Sequence, residues 1–174
     1  MRSPPTSPTS TTPRRWAVLC TSALLSLAGC ATTPAFDTQG VDRGITPSAA
    51  ADNPQAVRGK RVLWGGVIID TTNLEHSTQI ELLAYPLDSE ERPQLAAKPL
   101  GRVLVEKAGY LEPVDYAQGR QITALGTLDG TQAGRVGQSD YTYPVLRAKQ
   151  VHLWQQRSGA TRTHFNFGIG VIFH

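Results

Sequence analysis

Two cysteines, four histidines and fourteen carboxylates are the side chains of this 174-residue chain that could hold a metal or move a proton, and their spacing limits what they can do. His76, His152, His164 and His174 show none of the paired spacings that place two imidazoles on one ion. Asp70, His76 and Ser77 lie close in sequence. A nucleophilic serine, however, is defined by geometry, and no Gly-x-Ser-x-Gly turn offers one here. The residues therefore predict no catalytic site, no metal and no cofactor, and the chain is not expected to be an enzyme. A hydrolase would have to gather a nucleophile, a base and oxyanion donors in one pocket.

Cys30 has the most definite surroundings of any reactive group. Arg14 and Arg15 precede the uncharged, mostly apolar run Trp16 to Leu27, and the small residues Ala28 and Gly29 follow it, which is the layout of a secretory signal. The run is too short to span a bilayer, for which about 20 apolar residues are needed. It also lacks the polar face of a surface helix. The ending Leu27-Ala28-Gly29-Cys30 resembles the lipobox of bacterial lipoproteins, which implies cleavage before Cys30 and acylation of its thiol. Each buried methylene adds about 0.8 kcal/mol, so one chain holds marginally and two or more hold stably. Ala31, where aspartate would retain such a protein at the inner membrane, resembles the outer-membrane sorting pattern of enteric lipoproteins. Outer-membrane lipid is thus the first expected partner, held through acylated Cys30, with the protein facing the periplasm.

Removing residues 1–29 changes the charge balance. The whole chain carries 17 Lys and Arg against 14 Asp and Glu, but Arg2, Arg14 and Arg15 leave with the leader and no acid does. Fourteen of each remain, so the basic character belongs to targeting, and a nucleic-acid partner, which calls for a basic domain, is not expected. Cys20 leaves with the leader and Cys30 is taken by lipid, so no disulfide forms in the mature chain. The 145 residues from Cys30 onward suit one domain with a real core.

What positions these groups is a short succession of strands. Residues 30–56 contain Pro34, Pro47, Pro54 and the small run Ser48-Ala49-Ala50-Ala51. They read as a lipidated flexible tether from which only Phe36, Val41 or Ile45 docks. Residues 57–157 read as the folded domain. Val57–Asp70 is β-branched and broken by Gly65-Gly66, a bulge or bend. Thr78–Tyr85 alternates with Ile80, Leu82 and Ala84 inward. Leu100–Lys107 supplies Val103 and Val105. Gly109–Gly119, with Pro113 placed to start a helix and Gly119 to end it, predicts a short helix between the third and fourth strands. Arg120–Leu128 alternates again, and Tyr141–Gln155 is a long fifth strand. Five strands with that helix predict an all-β fold, a small OB-like barrel. An open β-sandwich would fit the same string. Trp64, Arg102, Arg120, Tyr143, Arg147 and Trp154 are the candidate ligand surface on such a barrel, fitted to a small anion, glycan or lipid head group.

Gly59-Lys-Arg-Val-Leu-Trp-Gly-Gly-Val-Ile68, Tyr85-Pro-Leu-Asp88, Arg92-Pro93, Gly101-Arg-Val103, Gly109-Tyr-Leu-Glu-Pro113, Tyr116, Tyr141-Thr-Tyr-Pro-Val145 and His152-Leu-Trp154 together resemble the Slp family, the starvation-inducible outer-membrane lipoproteins of proteobacteria. Glu112 departs from the aspartate more usual before Pro113. The resemblance implies an outer-membrane lipoprotein of starvation or stress with no catalytic residues to carry over. Its expected role is envelope maintenance or scaffolding, with an envelope protein or glycan as partner.

Residues 158–174 end in Thr163–His174, where Phe165, Phe167, Ile169, Val171 and Phe173 alternate with Asn166, Gly168, Gly170 and Ile172. Such a stretch packs as a last strand, or adds to a partner's sheet edge, or lies against lipid. Deleting Ala160–His174 separates these outcomes. Altered detergent extraction or oligomeric state assigns the stretch to a partner or lipid, and unchanged behaviour assigns it to packing.

Overall fold

Alternating burial marks out the strands. The computed structural model describes residues 35–156. Leu27, Ala28, Gly29, Cys30 and the C-terminal stretch 158–174 lie outside them. Five strands form: β1 (Arg61–Asn73), β2 (Ser77–Tyr85), β3 (Gly101–Ala108), β4 (Gln121–Val136) and β5 (Ser139–Leu153). In β2 every second residue is buried, with Thr78, Ile80, Leu82 and Ala84 inward. Val62, Trp64 and Ile68 of β1, Val103 and Val105 of β3, Ile122, Ala124 and Leu128 of β4 and Leu146 of β5 meet them in one core. Fully burying a side chain of this size contributes about 1.5–3 kcal/mol.

The sheet closes in the order β1-β2-β3-β5-β4, and β4 returns to β1. All pairings are antiparallel except β3 with β5, which run parallel over Leu104–Lys107 and Val145–Ala148. This is the OB-type barrel that the strand order predicts. Among the described residues closure pairs the strands on both sides around the middle of the barrel, while β4 beyond Thr127 pairs with β5 alone.

The connection between β3 and β4 is not the expected helix. Residues 109–120 make two separate turns, one in which the Tyr116 N–H meets the Glu112 carbonyl and one in which the Arg120 N–H meets the Ala117 carbonyl, both at 3.1 Å. The reason lies in the strands beside it. Thr71 Oγ1 donates to the Tyr116 carbonyl at 2.8 Å, and Asn73 Nδ2 donates to the Leu111 carbonyl at 3.1 Å, so strand side chains satisfy the loop backbone without a helix. Thr78, fully buried, accepts from the Leu111 N–H at 3.0 Å. Leu111 and Tyr116 then pack on the core and close that end of the barrel.

The expected tether is also corrected. From Ala35 onward the stretch lies on the barrel. Helix α1 (Pro47–Asp52) starts at Thr46, whose side chain accepts from the Ala49 N–H at 3.2 Å, and helix α2 (Pro54–Val57) follows. Proline at a first helical position after a Thr cap starts a helix as readily as it marks a linker. The small residues let α1 lie close against the barrel, with Ala50 buried and the Ser48 N–H bonded to the Leu100 carbonyl. Ile45 joins the core and its carbonyl accepts from Trp64 Nε1 at 2.9 Å. This segment closes the end of the barrel opposite Leu111 and Tyr116.

Gly65-Gly66 marks a close approach of backbones rather than the bulge itself. The register shift in β1 falls further on, between Ile68 and Asp70. A methyl group on Gly66 would stand 2.0 Å from the Leu83 carbonyl oxygen, on the backbone of β2. Gly66→Ala is therefore expected to cost about 1–3 kcal/mol in urea unfolding of the mature protein. An unchanged midpoint would show that β1 and β2 can part without cost.

Candidate functional site

Long buried runs show where the outside of the barrel is covered. Residues 103–105 of β3 and 143–146 of β5 are buried without alternation, which requires cover on both faces. Over β3 the cover is the far part of the β4–β5 hairpin. Leu104, Tyr143 and Val145 form a second apolar cluster, joined by Val136 and Tyr141. Gly134 sits flat on the Tyr143 ring, where a β-carbon would come within 2.8 Å of it. The Tyr143 hydroxyl lies 3.2 Å from both a Glu81 carboxylate oxygen and the Arg135 carbonyl. Arg102 pairs with Glu81, and its backbone N–H donates to the Tyr141 hydroxyl at 2.9 Å. Burial, followed by the Glu81 charge, pushes the Tyr143 phenol above its ordinary range. OB-type barrels usually bind ligands on the face of strands 2 and 3 beside this hairpin. Here the protein's own tyrosines occupy that ground.

A second polar network lies over β1 and β4. Asp88 Oδ1 accepts from the N–H groups of Glu90 and Arg92, both at 2.9 Å, and folds residues 86–94 into a tight loop. Glu91 adopts φ 65°, a left-handed conformation uncommon outside glycine. Three contacts hold it there: its N–H donates to the Asp88 carbonyl, its carboxylate takes both arms of Arg43 at 3.0 and 2.5 Å, and its carbonyl accepts from the buried Thr123 hydroxyl at 2.6 Å. Thr123 Oγ1 in turn accepts from Trp154 Nε1 at 2.9 Å. Arg92 stacks over the Trp154 ring at 5.2 Å, and His152 meets that ring edge-on at 4.5 Å.

The six residues of the expected ligand surface therefore do not converge. Trp64 is in the core, Arg102 and Tyr143 meet at Glu81, and Arg120 reaches the Trp154 carbonyl at 3.5 Å. Arg147 pairs with Asp129 at 2.6 Å. Strand alternation and two register shifts in β4–β5 turn them toward different sides. Asp70, His76 and Ser77 are not assembled either: His76 is exposed beside Glu75, and Asp70 accepts from Thr72. Among the described residues no cluster of His, Cys, Asp or Glu is placed to hold a metal ion.

The sequence reads Glu90-Glu91-Arg92 as a solvated loop and Glu81 only as an outward strand position, whereas Glu81, Glu91, Thr123 and Arg92 carry most of the polar network. The Pro86-Leu-Asp and Arg92-Pro93 blocks were its one visible trace, because an Asp followed by a turn and a Pro signals a tight loop.

A family model described as the outer membrane lipoprotein Slp family matches residues 27–169. The chain belongs to the Slp family. Among its relatives is the uncharacterized lipoprotein YeaY of Escherichia coli strain K12, 30% identical over 148 residues that cover 80% of this chain and 74% of YeaY. The outer membrane protein Slp of the same strain is 28% identical over 151 residues, covering 84% and 80%. Of solved structures, a small single-stranded DNA-binding protein from Streptomyces coelicolor overlaps 55% of this chain and 94% of its own, at 13% identity and a TM-score of 0.36.

In this Slp protein His152 offers a measurable handle. Burial, with Arg92 adding, holds its imidazole below the ordinary histidine value of about 6.5. The unfolded chain thus takes up a proton there before the folded one does. The stability this provides is present above about pH 6.5 and is lost as pH falls toward the lowered value. Urea unfolding at about pH 7.5 and about pH 5.5 should show lower stability at the acid point, with the difference reduced in His152→Gln. An equal difference in the variant would place the titration elsewhere.

Proposed function

We propose that this Slp-family protein is held in the outer membrane by acyl chains on Cys30, faces the periplasm, and serves envelope maintenance under starvation or stress as a non-catalytic scaffold. The observation that carries the reading is the extent of the family match. It begins at Leu27, so it includes the whole Leu27-Ala28-Gly29-Cys30 ending as well as the barrel. The fold supports a role exerted through surfaces. Its core is filled from both ends, by Ile45 and Ala50 on one side and by Leu111 and Tyr116 on the other. The alternative role, binding a small anion, glycan or lipid head group on the OB-type face, loses support because Tyr141 and Tyr143 cover that face.

Intact-mass analysis of membrane-extracted protein tests the anchor. The expected mass is that of residues 30–174 plus diacylglyceryl and amide-linked acyl groups. Cys30→Ser should move the protein out of the outer-membrane fraction with its leader still attached. A bare Cys30 in wild-type protein would overturn the location and the role inferred from it.

A further inference from the structure

The chain is fixed to the barrel much nearer to Cys30 than its composition suggests. Ala35 is already tied to β5, where its carbonyl accepts from Gln150 Nε2 at 3.2 Å, and Phe36 meets His152 edge-on at 6.4 Å. Five residue steps separate Cys30 from Ala35. Fully extended, they span about 18 Å. A residue acylated at position 30 thus keeps the Ala35 side of the barrel close to the head groups of its leaflet.

That side carries a surplus of positive charge. Arg61 of β1, Thr127 of β4 and Arg147 of β5 stand opposite one another across three strands and so share a face. Asp37 is flanked by Arg61 at 3.3 Å and by Lys149, and the Gln39 N–H followed by these cations holds its carboxyl below the usual range. Asp129 is flanked by Arg147 at 2.6 Å and Arg58 at 3.8 Å. Asp37 and Asp129 thus each face two cations and the exposed Lys60 adds a fifth, while Glu106, opposite Arg147 on β3, and Asp42, whose backbone N–H donates to the Arg61 carbonyl, bring the acids on this side to four. Because the chain after the leader has no net charge, this excess is a polarity of the barrel. The opposite end carries Asp70, Glu75, Glu112 and Asp115 against Lys107 and Arg120.

We infer that the face around Arg58, Lys60, Arg61, Arg147 and Lys149 rests on anionic phospholipid head groups beside the anchor, with the end bearing Leu111 and Tyr116 turned away from the membrane. The inference rests on the acylation of Cys30 proposed above. Two acyl chains suffice for retention, so the basic face sets orientation rather than attachment. Head-group attraction falls off within a Debye length, which contracts from about 10 Å to about 3 Å between about 0.1 M and about 1 M salt.

The mature protein has no other thiol once Cys30 is acylated, so one introduced cysteine can be labelled uniquely. Thr127→Cys places a fluorophore inside the basic face, and Val114→Cys places one at the far end, where Val114 is 75% exposed. The full acylated protein is reconstituted in phosphatidylglycerol-containing vesicles bearing a nitroxide-labelled head group. Quenching at residue 127 should exceed that at residue 114 severalfold. The excess should be lost in phosphatidylcholine vesicles, in high salt, and in Lys60→Glu/Lys149→Glu protein. Equal quenching at both sites, or an excess indifferent to lipid charge and salt, overturns the orientation. So does a residue-127 label shielded from water without lipid quenching, which would put a second copy on the face. Intact mass on the same sample separates the two ideas: an unacylated Cys30 defeats the anchor, and an acylated protein without the quenching difference defeats the orientation alone.

Discussion

The parallel ladder between β3 and β5 is the constraint on which the rest depends. It spans only Leu104–Lys107 and Val145–Ala148, yet it turns a five-strand sheet into a barrel. Without it the inner faces of Val103, Val105 and Leu146 would open to water along two unpaired edges. Closure over so few residues demands strong coiling of the neighbouring strands, and the register shifts in β1 and β4–β5 supply it. Gly66 and Gly126 fall where that coiling brings backbones together, and a β-carbon on either would stand about 2 Å from a neighbouring carbonyl oxygen.

Closure also determines what becomes of the outer surface. A barrel this small has two ends to fill and an exterior that is partly apolar. The two ends are filled by unlike means, a short helix and its lead-in on one side and a loop pinned by Thr71, Asn73 and Thr78 on the other. The exterior is covered by the β4–β5 hairpin over β3 and by the 86–94 loop over β1 and β4. Both covers are tied down by charged or hydroxyl groups, Glu81 in one case and Thr123 with Glu91 in the other. Thr123 is buried and Glu81 and Glu91 are half-buried, and polar groups so placed are costly when left unpaired, so each network holds its cover in one place. The face on which OB-type barrels usually take ligands becomes part of the protein's own packing, and the remaining polarity of the barrel lies in its charge distribution.

The strap formed by residues 35–46 links fold to location. Arg61 holds the backbone of Asp37 and Gln39, Trp64 holds Ile45, and Glu91 holds Arg43. These contacts fix residues 35–46 to the barrel, where their composition alone reads as linker.

The sequence by itself determined the number and order of the strands and the family, but not that β4 runs past Leu128 to Val136, where Asp129-Gly130 and Gly134 read as a turn-rich loop. Alternation in Thr78–Tyr85 and Arg120–Leu128 fixes which side chains point inward, because a strand has period two whatever surrounds it. The apolar run before Leu27-Ala28-Gly29-Cys30 is read locally in the same way. Tertiary structure alone decided which outer faces are covered, whether a proline-rich stretch is linker or strap, and whether scattered arginines and aromatics share a site. Thr46-Pro47 followed by small residues is compatible with coil or with a capped helix, and only the barrel end beneath Ala50 selects the helix. Arg102, Tyr143 and Glu81 meet because hairpin curvature and strand pairing bring distant residues together. Those are long-range quantities, and no local pattern of residue types records them.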